Sequence, residues 1–221
     1  MHLRQPSLDP DLVAVLWGLV FAVYWLLSHR GQNLFLLAAS YFFYGSWDWR
    51  FLSLMLSSSA LAWWIGLALD RTDDAAARKR LVTISVAANL GLLGVFKYFG
   101  FFGDSLRLLL SSLGIEAGWP LIEIVLPVGI SFFTFQGISY VLDVYHRIIP
   151  PTRNFLDLAL FKSFFPQLVA GPIVRAADFM PQLARKPDVT RLHVSLGLTL
   201  IVWGLFKKSI VANYLAIDLV D

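Results

Sequence analysis

Apolar residues run through this chain in long blocks separated by short polar joints. The blocks 12–28, 51–69, 81–102 and 121–142 each meet the roughly 17–25 residues a helix needs to cross a bilayer. The block 192–217 is longer but carries Lys207 and Lys208 inside it, and 155–174 is interrupted by Lys162, Pro166, Gly171 and Pro172. Two further stretches are shorter. Residues 33–44 are strongly aromatic, and 105–113 is expected to lie at the membrane surface. The joints fall at 70–80, at Pro150–Pro151 and at Pro187–Asp188. These blocks are continuous rather than alternating, so they predict helices and not the strands of a membrane barrel. The expectation is an all-α, polytopic transmembrane helix bundle, one domain over residues 1–221. Its Pro-broken element at 155–175 enters the membrane and returns, because irregular backbone at that depth is tolerated only where protein or a cavity surrounds it.

Composition strengthens the pattern. Hydrophobic residues make up 57% of the 221 and charged residues 15%, against about 45–50% and about 25% in soluble domains. Mean hydropathy is +0.67. The absence of Cys removes disulfides, cysteine zinc sites and thiol nucleophiles from consideration. Arg4 precedes an apolar run without a small-x-small cleavage site after it, so 12–28 is taken as a span rather than a leader.

The net charge of +3 says less than where the basic residues lie. With the joint 70–80 on the cytoplasmic side, Arg30, Arg71, Arg78, Lys79, Arg80, Arg147, Arg153, Arg175, Arg185, Lys186 and Arg191 fall inside, and Arg4, Arg50 and Arg107 fall outside. The positive-inside rule favours that arrangement, with the N-terminus extracytoplasmic. On this reading Arg78, Lys79 and Arg80 are a topology signal, not a nucleic-acid patch, and no nucleic-acid partner is expected.

Polar residues inside the apolar blocks are the candidates for chemistry. Ser131, Thr134, Gln136, Ser139 and Tyr140 interrupt LPVGISFFTFQGISYVLDVY at 126–145. Gln136 and Tyr140, four residues apart, share a helix face and could line a cavity, or they could simply pack helices together. In FKSFFPQLVAGPIVR at 161–175, Pro166 and Pro172 remove backbone donors and Gln167 could satisfy a freed carbonyl. Arg175 could bind an anionic group such as a pyrophosphate. Asp143, at a helix C-terminus where the dipole is already negative, needs a partner, and Arg147 one turn on is the nearest in sequence. His2, His29, His146 and His193 all lie outside the middles of spans, and no His and carboxylate pair has metal-ligand spacing.

With those segments in view, the chain resembles a bacterial membrane-bound O-acyltransferase, in particular the branch containing alginate O-acetyltransferases. The matching stretches are YFFYGSWDWRFL at 41–52, NLGLLGVFKYFGFF at 89–102, LPVGISFFTFQGISYVLDVYHRIIP at 126–150, NFLDLALFKSFFPQLVAGPIVRAADFMPQL at 154–183 and GLFKKSIVANYLA at 204–216. The resemblance implies transfer of an acyl group, often acetyl, from a cytoplasmic thioester such as acetyl-CoA to a hydroxyl of an exported polymer, with no bound cofactor. Alginate, cellulose, another exopolysaccharide and teichoic acid-like polymers all suit it as acceptors. It implies a funnel between the two faces of a bacterial inner membrane, and partners among membrane lipids and extracytoplasmic acetyl-transfer proteins. On matching motifs, Gln136, Tyr140, Asp143, Gln167, Gly171, Pro172 and Arg175 become funnel-lining, substrate-binding or structural positions. The family's catalytic histidine stands in a motif like RWHISLS in the second half of longer chains. None of the four histidines here has that context, so the expectation is an N-terminal portion that lacks the catalytic group. Two other readings remain: a non-catalytic assembly subunit of polysaccharide modification and export, and a transporter. The transporter reading has no inverted repeat and no mid-span acidic residue to support it.

Overall fold

The computed structural model describes residues 10–112, 127, 129–186 and 194–212, and among these the regular structure is helical. Helix α1 spans Pro10–Tyr24 and α2 spans His29–Asp48, opened by Ser28, whose Oγ accepts from the Gly31 amide at 3.4 Å. Helix α3, Arg50–Asp70, follows after Trp49 alone. At that joint Arg50 forks onto Asp48, Nη2 to Oδ2 at 2.6 Å and Nε to Oδ1 at 3.0 Å. Helix α4 runs over Ala75–Ser112. Asp74 opens it, its Oδ2 accepting from the Ala77 amide at 2.8 Å as an N-cap carboxylate should.

At 38 residues α4 is about 57 Å long, well beyond a bilayer's hydrocarbon core of about 30 Å. It absorbs both the block 81–102 and residues 105–112, which therefore continue the helix instead of forming a separate surface segment. The Gly103–Asp104 step between them contains no proline and leaves the helical ladder intact.

Helix α5, Ile130–Tyr145, starts later than the apolar block 121–142 suggests. Gly129 precedes it with φ +72, a left-handed conformation that glycine adopts without steric cost. The first part of that block lies outside the described residues. After α5 come α6, Phe155–Ser163, capped by Asn154; α7, Phe165–Ala170; and α8, Ala176–Leu183.

The chain divides into two compact units, 1–185 and 186–221. In the first, α5 lies against α3, α4, α6, α7 and α8. Its core side has one cluster around Ile65, Leu69, Tyr140, Val144, Leu158 and Phe161, and another around Tyr44, Met55, Ile130, Phe133 and Leu168. Gly66 lets α3 and α5 meet: a Cβ there would stand 2.7 Å from Tyr140 Oη and 2.9 Å from its Cε1. Phe21, Phe42, Trp64, Phe101 and Phe102 point outward and are exposed, as residues facing lipid tails would be.

The second unit contains α9, Val194–Phe206, continued by a π-helical stretch, Lys207–Ala212. Among the described residues, three helical stretches are long and apolar enough to cross a membrane: Arg50–Asp70, Ala75–Tyr98 and Val194–Ala212. The protein is an all-α membrane helix bundle.

Candidate functional site

The block 155–174 breaks where Pro166 requires it. Helix α6 ends at Ser163, Phe164 leaves helical dihedrals with φ −53 and ψ 102, and α7 restarts with Pro166 in its first turn. Proline is tolerated there because the first-turn amides have no intrahelical partner. The Phe165 amide at the break donates to Ser40 Oγ of α2 at 3.3 Å. Gly171 closes α7, its amide donating to Gln167 O at 3.0 Å. A Cβ on Gly171 would lie 2.6 Å from Gln167 Cα, so the chain can turn out of α7 only with a bare backbone there. Residues 171–175 are non-helical, and Pro172 among them is exposed.

This broken element meets α5 at both ends. Buried Gln136 donates from Nε2 to Oε1 of Gln167 at 2.9 Å. Gln167 thus takes a side-chain partner from α5 rather than a carbonyl freed by Pro166. Two helical turns further along α5, Asp143 is 2% exposed and accepts from Arg175 Nη2 at 2.7 Å and from the Ala177 amide at 3.2 Å. The carboxylate holds the Arg175 proton more firmly than usual, through that hydrogen bond first and through charge second.

Arg147 is not the partner of Asp143. One-turn spacing assumes that the helix continues, but the chain leaves α5 after Tyr145 and Arg147 adopts φ +59. Its guanidinium pairs with Asp73 instead.

Gln136 and Tyr140 are both buried, as a shared face requires, yet they meet different elements. Tyr140 Oη accepts from the Thr152 amide at 3.1 Å and packs over Gly66. Of the seven candidate positions, Gln136, Gln167, Asp143 and Arg175 thus form two pairs along one α5 edge. Tyr140 and Gly171 hold the surrounding backbone, and Pro172 touches neither pair through a hydrogen bond. His146 is exposed, whereas His29 is half-buried with Nδ1 lacking a hydrogen-bond partner among the described residues.

Sequence reasoning passed over Lys162. It is fully buried, and its Nζ donates to Ser58 Oγ at 2.5 Å. Ser58 in turn donates to Asn89 Oδ1 at 3.2 Å, and Asn89 Nδ2 donates to Ser85 O at 2.8 Å. Gly137 makes room, since a Cβ there would stand 2.9 Å from Nζ. The available signal was a lone cation in an apolar run that also carries a helix break. Around this seam Thr134 Oγ1, Gln136 Oε1 and Ser163 Oγ are buried without hydrogen-bond partners among the described residues. Buried polar atoms left open in this way are uncommon in finished cores, and they give the seam capacity to bind a polar group.

The described residues define a class of protein: a membrane helix bundle with a buried polar seam and a broken helix packed against α5. The relatives narrow that class. The chain is 39% identical to a protein of Azotobacter vinelandii named a probable alginate O-acetylase, over 90% of this chain and 40% of that protein. It is 38% identical to a Pseudomonas aeruginosa protein of the same name, over 88% and 37%. With a peptidoglycan O-acetyltransferase of Helicobacter pylori it shares 34% identity over 87% and 42%. Over nearly its whole length the chain is thus similar to bacterial O-acetylases, as its resemblance to membrane-bound O-acyltransferases leads one to expect. It spans about two fifths of the length of the curated relatives it matches. No protein-family model matches it, and no solved structure does.

Proposed function

We propose that this chain forms part of an O-acetyltransferase of a bacterial inner membrane, which takes an acetyl group from a cytoplasmic donor such as acetyl-CoA and delivers it toward an exported polysaccharide. The observation that carries the reading is the joining of α5 to the broken element by Gln136–Gln167 and Asp143–Arg175, at positions the family resemblance had named. In this reading the two pairs shape one wall of the transfer path. Arg175 uses Nη2 on Asp143 while its side chain stays 62% exposed, which leaves donors for an anionic part of the acyl donor. The N-terminus faces outward, and extracytoplasmic acetyl-transfer proteins receive the group. The catalytic base that activates the acceptor hydroxyl is assigned to no residue of this sequence.

The test is ester-bound acetate on the exported polymer, measured with the natural gene intact, deleted, and restored with Arg175→Gln. Deletion should abolish the acetate, and Arg175→Gln should lower it several-fold at equal protein level. Unchanged acetylation after deletion would sink the proposal. Inverted membrane vesicles given labelled acetyl-CoA address the donor: no label on polymer or carrier would rule that donor out.

A further inference from the structure

A cavity of about 440 Å³ opens where α3 and α5 end and α4 begins, away from the Gln136–Gln167 seam, lined by Leu69, Asp70, Asp73, Arg78, Arg147 and Ile149 among others. Its position follows from the spans. Asp70 is the last residue of one membrane-crossing helix, and the next begins at Ala75. The cavity therefore lies at one membrane boundary, where lipid headgroups are found. Val144 and Pro150–Pro151 give it apolar walls.

The charges in it are of both signs and incompletely matched. Arg78 is buried and directs its Nη1 to Leu69 O and Thr72 O and its Nη2 to Tyr145 O at 2.7 Å, with its guanidinium over the Tyr145 ring. No carboxylate pairs with it among the described residues, and none of the described cations pairs with Asp70. Among the described residues the ion pair in the cavity is Arg147–Asp73, with side chains 69% and 93% exposed. Pairs so open to water hold weakly and exchange partners readily.

Arg147 itself stands at φ +59 just beyond the α5 C-terminus, where an αL cap ordinarily selects glycine. A bulky side chain kept in that conformation marks a position where the side chain has a use.

From this geometry we infer that the cavity binds a phosphate ester carrying an ammonium group, the headgroup of a zwitterionic ethanolamine phospholipid. The phosphate meets Arg147 over the Arg78 floor, and the ammonium meets Asp70 and Asp73. The two carboxylates oppose a doubly charged free phosphate, and they favour a primary ammonium, with three N–H donors, over a quaternary one with none. The apolar walls receive the glycerol end.

The experiment is native mass spectrometry of the full-length protein, exchanged into an equimolar mixture of phosphatidylethanolamine, phosphatidylcholine and phosphatidylglycerol. One ethanolamine lipid should be retained in preference to the others. Arg147→Gly removes the side chain while relieving the backbone, so it should keep or raise the melting temperature and lose about tenfold in retention, as expected for a charge-assisted contact. Asp70→Asn should reduce the preference over phosphatidylglycerol. Equal retention of the three lipids, or unchanged retention in Arg147→Gly, would overturn the assignment. Free phosphoethanolamine should fail to displace the lipid, and displacement would overturn the lipid as the source of the headgroup.

Discussion

Lys162 and Lys207 both stand inside apolar helical runs, and the protein treats them in opposite ways. Lys162 has no exposed surface and donates to Ser58 within a seam built from α3, α4, α5 and α6. Lys207 remains exposed where α9 turns π-helical, and its ammonium lies over the Trp203 ring at 5.4 Å. Removing an ammonium from water costs several kcal/mol unless oxygen acceptors replace the hydration shell. The first unit supplies one, Ser58 Oγ, from a neighbouring helix. In the second, no described residue of α9 is buried, and the lysine settles on its own helix. Hydropathy counts the two residues alike. What separates them is whether other helices arrive with polar groups, and a polar group met across a packed interface fixes register as greasy packing does not.

The largest effect should come from removing the buried ammonium. Lys162→Ala leaves Ser58 without its donor and opens a void the length of the lysine stem, at a cost of about 2–4 kcal/mol. A fall in the melting temperature of the detergent-purified, full-length protein measures it. Lys162→Met refills the volume without the charge, and apolar replacement of a buried charge is often neutral. Met should therefore recover most of the loss. If Ala is tolerated at position 162, the seam does not organise the four helices and the contrast with Lys207 is broken.

Glycines give the comparison a change of sign. Gly66→Ala would push a methyl against the stiff Tyr140 ring, costing about 1–3 kcal/mol. Gly197 and Gly204 of α9 have nothing within 4 Å of an added Cβ. Alanine at either should stabilise the helix by about 0.5–1 kcal/mol through propensity alone. Melting temperatures moving in opposite directions would sharpen the distinction, and a loss at Gly204 would mean that α9 also has a packed partner there.

Much of this was legible in local pattern. The apolar block 51–69 anticipates α3 to within a residue at each end, and Pro166 announces the break that Phe164 makes. Gln136, Gln167, Asp143 and Arg175 could each be singled out as polar residues in apolar surroundings. Their pairing could not be read, because the partners are 31 and 32 residues apart and no helical period connects them. Local reasoning failed where it assumed that a helix goes on. It paired Asp143 with Arg147 across a turn the chain does not make, and it divided α4 at a Gly–Asp step that a helix accommodates. Lys162 went unselected because its oxygen partner, Ser58 of α3, lies 104 residues away in sequence.

A smaller effect probes the α5 edge. Gln136→Leu or Gln167→Leu alone leaves one buried amide without its partner and should cost about 1–2 kcal/mol. The double replacement should cost less than the sum, by at least about 0.5 kcal/mol, as for residues in direct contact. A double-mutant cycle on melting free energies tests this, and strict additivity would mean that the 2.9 Å contact does not couple α5 to α7.

The smallest effect is expected at Lys207. Its ammonium is exposed, so truncation uncovers no buried group, and Lys207→Ala forfeits only an exposed cation–π contact of about 0.5–1 kcal/mol. Lys207→Arg should retain that contact, since a guanidinium can lie over the same indole. Trp203 stacks on Phe206 with an interplanar angle of 7°, so Trp203→Leu should remove both contacts and exceed Lys207→Ala. Tryptophan fluorescence and melting temperature together separate these cases. If Lys207→Ala instead cost as much as Lys162→Ala, the lysine would have to be held by groups beyond its own helix.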